Sequence, residues 1–317
     1  MSTIPPFRPG YLFRRFIALW LSVSIFAINL GFCEETEKGS VKLRIGHFQC
    51  ECEAGKLKAN TAKVFKGLEW AEREKIDIIT FPESFLTGYF DNAQRARDNS
   101  LKLDGPEIQD ILAQTADYSA TWMVGLNELR GEDLFNTVIV VEKGKILDTY
   151  SKAFPCYDYF IPGRKFPVFE KKGVKYGVVI CADGGYIEPT RILALKGARI
   201  IFAPHYNVID KGYLLDHYVE VRNDHRARAI ENGIYFMRST NVGTKPDKGI
   251  APEGMAYGDS YLVDPRGEIL VQSRRHQECF VQYEIDPYGY DSLRSRSKNS
   301  GKELGEVLLQ TLDEYHD

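Results

Sequence analysis

The chain lacks most of the signatures that announce a metal or nucleic-acid protein. It has no CxxC pair, no Cys/His spacing of the metal-ligand type, no internal repeat and no low-complexity block. Nothing in the cysteine and histidine spacing therefore points to a metal centre. Six cysteines (33, 50, 52, 156, 181 and 279) are scattered over 317 residues, which is not a disulfide framework. Cys50 and Cys52 would point to the same face of one strand, so a bridge between them is poorly placed. Charge of one sign is also missing: 41 Lys and Arg against 44 Asp and Glu leave a net charge of -3 without a long charge run. Nothing here favours nucleic acid or an anionic membrane as a partner. After the first forty residues no long apolar run remains, so the body of the chain is expected to be soluble.

Residues 1–40 stand apart. Arg14 and Arg15 precede an uncharged apolar run over residues 16–32, followed by Cys33-Glu34-Glu35. A basic start, an apolar core and small residues at Gly31 and Cys33 read as a secretion signal or an N-terminal membrane anchor. Bulky Phe32 beside Cys33 argues against a lipoprotein signal. An exported or membrane-tethered protein is expected, with a folded body over 41–290 and a polar tail over 291–317.

From Val41 onward the pattern alternates. VKLRIGHFQC reads as a strand, and Ala62, Phe65 and Leu68 recur at helical spacing before the buried strand IDIITF. A polar loop is expected over Thr87–Ser100, then a helix near Glu107–Tyr118. TVIVVEKGKILDTYS reads as a hairpin turning at Lys143-Gly144. VKYGVVIC and ARIIFAP are apolar strands around a helix at Glu188–Lys196, and a long helix from Leu214 stops at Gly233. Four further strand patterns follow, IYFMRST, MAYGDSYLVD, EILVQS and ECFVQYEID, and a terminal helix is expected over Lys302–Tyr315. Strand–helix alternation with hairpins at both ends predicts a layered α/β domain with mixed sheets.

Three segments carry chemistry. Glu83 follows the strand IDIITFP, Lys152 follows the hairpin, and Cys181 ends an apolar strand before a glycine-rich turn. Strand ends are where α/β folds gather polar groups. Taken singly, each has a plain structural reading: a loop glutamate, a surface lysine, an inert core thiol. Together they suit attack on an amide or nitrile carbon, which requires a thiolate, a base and a cation. Glu83 would take the proton, Lys152 would stabilise thiolate and oxyanion, and the N–H of Ala182 would be a second oxyanion donor. His205 is a candidate substrate contact after its strand, as is Tyr186. His217 and His225, eight apart on one helix, do not have a metal-ligand spacing.

The ordered set FPE, GLNE with a later Asn136, YSK, FIPG, ICAD, APH and RARAIENGIYFMRSTNVG resembles the nitrilase superfamily of carbon–nitrogen hydrolases, over about Val41–Tyr290. The resemblance implies a four-layer αββα sandwich, a homodimer or higher homo-oligomer, no metal and no cofactor. It also implies a Glu83–Lys152–Cys181 triad that cleaves amide or N-carbamoyl substrates through a thioester. The family usually carries a second glutamate shortly before the Phe-x-Pro-Gly segment. This chain has none: Asp158 is the nearest acid, Cys156 is the other candidate for that position, and Glu128 is a further acidic neighbour. Nitrilases proper tend to have Trp-Glu after the nucleophile, whereas Ala182-Asp183 places this chain on the amide side. Nitrile hydrolysis, acyl transfer from the same thioester, and a catalytically inactive binding protein on the same fold are the alternatives.

Overall fold

The computed structural model describes residues 41–243, 254–291 and Val307. The apolar run at 16–32 and Cys33 lie outside the described residues, as does the helix expected over 302–315 apart from Val307. No helix among the described residues is long and apolar enough to cross a membrane.

In chain order the elements begin β1 (Leu43–Gln49), α1 (Leu57–Glu74), β2 (Ile78–Thr80), α2 (Ala93–Asp98) and α3 (Pro106–Gln114). Then come β3 (Thr121–Arg130), β4 (Asp133–Glu142), β5 (Lys145–Ser151), β6 (Phe169–Lys171) and β7 (Val174–Val178). After β7 come α4 (Ile187–Leu195), β8 (Ile200–His205), β9 (Ile209–Asp210), α5 (Leu214–Asn232) and β10 (Tyr235–Thr240). The described series closes with β11 (Gly254–Met255), β12 (Tyr261–Val263), β13 (Ile269–Gln272) and β14 (Cys279–Ile285).

Two sheets share one plan. The first runs β14-β1-β2-β3-β4-β5 and the second β13-β12-β10-β8-β7-β6. In each, three central strands are parallel and the flanking strands antiparallel. The parallel strands are buried on both faces, which explains their near-continuous apolar sequence. Ile45, Met123 and Val140 of the first sheet pack against Tyr176, Phe202 and Met237 of the second in one apolar layer. Val64 and Leu68 of α1 cover the outer face of the first sheet at Trp122 and Ile139. Leu193 of α4 and Ala229 of α5 cover the second at Val179 and Ile201. The result is the expected αββα sandwich with mixed sheets.

Local signals explain most boundaries. The β4–β5 turn takes positive φ at Lys143 (48°) and Gly144 (69°), as a tight hairpin requires. Gly233 ends α5 in the left-handed region at φ 59°, where a side chain would be strained. The loop expected over Thr87–Ser100 contains α2, because the Asn92 side chain accepts the Arg95 N–H at 3.1 Å and caps a helical turn.

Between the sheets, near the carboxyl ends of the parallel strands, the packing turns polar. His47 of β1 places Nδ1 3.0 Å from the Thr80 carbonyl and Nε2 3.0 Å from that of Thr240. Thr80 Oγ1 meets Ser239 Oγ at 2.7 Å. Burial pushes the His47 imidazole down to about 4, against the opposing help of those two carbonyls. The unfolded chain binds this proton first. The His47 contribution to stability is thus present above the ordinary value of 6.5 and lost as pH falls towards 4. NMR titration of the imidazole resonances is expected to show His47 neutral at pH 5.5; a midpoint near 6.5 would contradict this burial.

Candidate active site

Glu83 follows β2 through Phe81-Pro82, at the carboxyl end of a buried parallel strand. Ser84 takes φ 48°, which turns the chain sharply behind it. The turn rests on β3 at Gly125, where a Cβ would lie 2.2 Å from the Ser84 nitrogen. Only glycine allows that approach. The Glu83 side chain is 1% exposed. Its Oε1 accepts Lys152 Nζ at 2.8 Å and Asn136 Nδ2 at 2.6 Å, and its Oε2 accepts the Tyr206 N–H at 2.8 Å. Each carboxylate oxygen has two lone pairs, so accepting capacity remains.

Lys152 follows β5 directly and is likewise 1% exposed. Its backbone is pinned on both sides: its N–H donates to the Asn136 carbonyl and its own carbonyl accepts the Gly163 N–H, each at 2.8 Å. Gly163 is required there, since a Cβ would meet the Ser151 carbonyl oxygen at 2.0 Å. Burial opposes the Lys152 charge, but Glu83 together with Cys181, Tyr89 and Cys156 more than offsets it and holds the ammonium well above its ordinary range. A second contact runs from Nζ to Cys156 Sγ at 3.6 Å.

Cys181 opens a 3-10 turn over Cys181–Gly185 after β7, with φ at 48°. A non-glycine residue in that region is strained, and such strain persists only where the surroundings fix it. Asp183 supplies the fixing. Its buried carboxylate accepts Tyr150 OH at 2.7 Å, Phe154 N–H at 2.8 Å, Ile180 N–H at 3.1 Å and Ala153 N–H at 3.3 Å. One side chain thereby ties the cysteine turn to the segment that follows Lys152. Burial raises the Cys181 thiol above its ordinary value and the Glu83 charge adds to this, while Lys152 and Arg238 act in the opposite sense. The resting sulfur is accordingly a thiol, with its thiolate favoured by the two cations.

Cys181 and Ala182 line a cavity of about 340 Å³. Its walls include Tyr186, His205 and Asn207, together with Glu220 and Asp224 of α5. His205 is 2% exposed, with Nδ1 2.6 Å from the Ala203 carbonyl, and burial holds it well below its ordinary value. A neutral ring of this kind offers a lone pair or an N–H rather than a charge. Tyr186 is exposed at the cavity rim and stacks on Phe154 at 3.9 Å between ring centroids.

Two expectations about supporting acids need correction. Asp158 is exposed at the surface, and the Lys152 ammonium is held by Glu83 and Cys156 instead. Glu128 is buried but forms a two-point contact with Arg130, at 2.6 and 2.5 Å, and does not reach Lys152. Arg130 in turn donates to Ser151 Oγ at 2.8 Å, so Glu128 bears on the site only through the residue preceding Lys152. Sequence reasoning also passed over Asp183 as a staple, and over Asn207 and Arg238. A detectable signal existed for Arg238, the one charge inside the apolar run IYFMRST.

The family model of the carbon–nitrogen hydrolases matches residues 44–295. The chain belongs to the carbon–nitrogen hydrolase family of the nitrilase superfamily. It is 30% identical over 255 residues to 2-oxoglutaramate amidase of Bacillus subtilis, covering 78% of this chain and 92% of that protein. It is 27% identical over 264 residues to a nitrilase of Pyrococcus abyssi, covering 81% and 92%. Among solved structures, a carbon–nitrogen hydrolase from Helicobacter pylori G27 superposes with a TM-score of 0.68 at 23% identity, covering 81% of this chain and 93% of that one. A mutant amidase from Nesterenkonia AN1 gives 0.65 at 18% identity, covering 84% and 97%. These likenesses extend along nearly the whole length of each relative, so the fold is that of complete carbon–nitrogen hydrolases.

The buried Glu83–Lys152 pair makes a stability prediction. Lys152→Met leaves the carboxylate buried without its ammonium and is expected to cost about 3–5 kcal/mol in urea unfolding. Adding Glu83→Gln to that variant is expected to recover a large part of the loss. Simple additivity of the two single losses would show that the pair is not coupled.

Proposed function

We propose that the protein hydrolyses a small-molecule amide or N-carbamoyl compound, with Cys181 as nucleophile, Glu83 as base and Lys152 as oxyanion stabiliser. The observation that carries this reading is the convergence of those three residues. They come from strand ends 69 residues apart for the Glu–Lys pair and 29 further on for the thiol; Glu83 and Lys152 pair directly, both bear electrostatically on Cys181, and Cys181 lines the cavity.

In the proposed reaction, Glu83 accepts the Cys181 proton as the sulfur attacks the carbonyl carbon. The oxyanion is held by Lys152 and the Ala182 N–H. Glu83 returns the proton to the leaving nitrogen, ammonia or amine departs, and a thioester remains. Water then attacks that thioester with Glu83 again accepting a proton, and the acid product leaves as Cys181 recovers its own. Donors fixed in a water-poor site act on charge as it develops, which is where they accelerate the step. The cavity histidines compete poorly for the base role, because burial lowers the proton affinity of His205, His217 and His225.

The charged side chains that line the cavity are Glu220 and Asp224, with no lysine or arginine among the described lining residues. This favours neutral or cationic amides over amides carrying a free carboxylate. We further propose a homo-oligomer built on the exposed apolar face of α5, at Leu215 (75% exposed), Val219 (61%) and Ile230 (55%). Val219→Glu is expected to shift the sedimentation coefficient towards the monomer; a monomeric wild type would end that proposal. Export or tethering through residues 16–32 is likewise proposed, and cell fractionation tests it.

Ammonia release from matched short amides, nitriles and N-carbamoyl compounds tests the function. Amides are expected to turn over, with Glu83→Gln reducing kcat by at least about a hundredfold. Carboxylate-bearing amides are expected to trail their neutral isosteres. Turnover of nitriles alone, or of nothing, would overturn the amidase reading.

A further inference from the structure

Arg238 stands in the middle of β10 with 2% of its surface exposed. A guanidinium is buried at a cost unless its hydrogens and charge are met. Here Nη1 donates to the Asp259 carbonyl at 2.6 Å and lies 3.5 Å from Asp259 Oδ2. That carboxylate is itself held by Arg222 at 2.6 Å and by Gln272 at 2.8 Å. The other end of the guanidinium faces the cavity wall, where Nη2 donates to Asn207 Oδ1 at 2.5 Å.

This contact decides which way the Asn207 amide points. A guanidinium has donors only, so the amide oxygen must face it, and a flipped amide would set donor against donor. The amide nitrogen therefore faces away from Arg238, and it lies 3.9 Å from Cys181 Sγ. The backbone is fixed as well, since the Asn207 N–H donates to Asn241 Oδ1 at 2.8 Å.

We propose that Asn207 donates its amide N–H to the Cys181 sulfur during the reaction, and that Arg238 is the positioning residue that holds the donor in place. The inference deepens the hydrolase reading and rests on Cys181 being the nucleophile. As the sulfur loses its proton to Glu83, negative charge grows on a partly buried atom in the cavity wall. The Asn207 N–H meets that charge from the cavity side. Lys152 remains committed to Glu83 and to the oxyanion. The titratable and charged groups that bear on the sulfur are Glu83 after β2, Lys152 and Cys156 after β5, and Arg238 on β10.

The test compares Asn207→Ala, Asn207→Asp, Arg238→Met and Arg238→Lys in the full chain. Two properties are read: the pH dependence of iodoacetamide alkylation at the Cys181 peptide, and kcat and KM on an amide turned over by the wild type. Asn207→Asp keeps the acceptor for Arg238 and loses the donor. It is expected to move the alkylation midpoint upward and to lower kcat by about ten- to hundredfold, with a smaller change in KM. Asn207→Ala should follow it in kcat. Arg238→Met should resemble Asn207→Ala, whereas Arg238→Lys, which can still donate to Oδ1, should recover part of the loss. If the Arg238 variants fail to fold, the two Asn207 variants decide the matter alone. Asn207 variants with alkylation profile and kcat within twofold of wild type overturn the inference and leave the hydrolase reading standing. A wild type that turns over no amide, and whose Cys181 resists alkylation at every pH, removes the reading on which it rests.

Discussion

A carboxylate and an ammonium 2.8 Å apart, each 1% exposed, set the terms for the rest of the structure. Such a pair loses its water on folding, and it is tolerable only when geometry and further hydrogen bonds replace that water. The fold meets both needs. Asn136 and the Tyr206 N–H take the remaining Glu83 contacts, and two glycines let backbone segments come close enough to aim the partners. Gly125 seats the turn after Glu83 and Gly163 the strand end before Lys152. The matching plan of the two sheets, each with parallel strands at its centre, brings these strand ends and the cysteine turn to the same edge of the sandwich.

The sulfur inherits its behaviour from that pair. Burial and the Glu83 charge keep it protonated at rest, and Lys152 and Arg238 favour its anion. In the proposed reaction a thiol in that balance is activated when its base takes the proton in the same step as attack, which requires nucleophile and base to be held in fixed relation. Asp183 holds them. Its carboxylate accepts Ile180 N–H within the strained turn at Cys181 and Tyr150 OH, Ala153 N–H and Phe154 N–H from the chain on either side of Lys152, so that displacing either segment would disturb both.

Much of this was legible in the sequence for physical reasons. Apolar runs bounded by turn residues marked the central strands, Gly233 marked the end of α5, and Lys143-Gly144 marked the hairpin. Glu83 and Cys181 were visible because they follow such runs and Lys152 because it follows the second arm of the hairpin, where side chains project from strand ends. Residues whose roles depend on contacts across the fold were hidden. Asp158 looked like the natural support for Lys152 by proximity in sequence, yet the segment around it turns the acid to solvent and leaves the sulfur of Cys156, itself exposed, 3.6 Å from Lys152 Nζ. Glu128 looked available until Arg130, two residues along the same strand, proved to occupy it. The short helix α2 was read as loop because six residues are too few for a periodic pattern to show.

The central claim is that Cys181 becomes acylated within the Glu83–Lys152 site. Intact-mass spectrometry after rapid quench with an amide substrate tests it most directly. The account predicts an adduct equal to the substrate less ammonia, mapped to the Cys181 peptide and absent from Cys181→Ser. Turnover that persists in Cys181→Ser, or an adduct mapped to another residue, would contradict it.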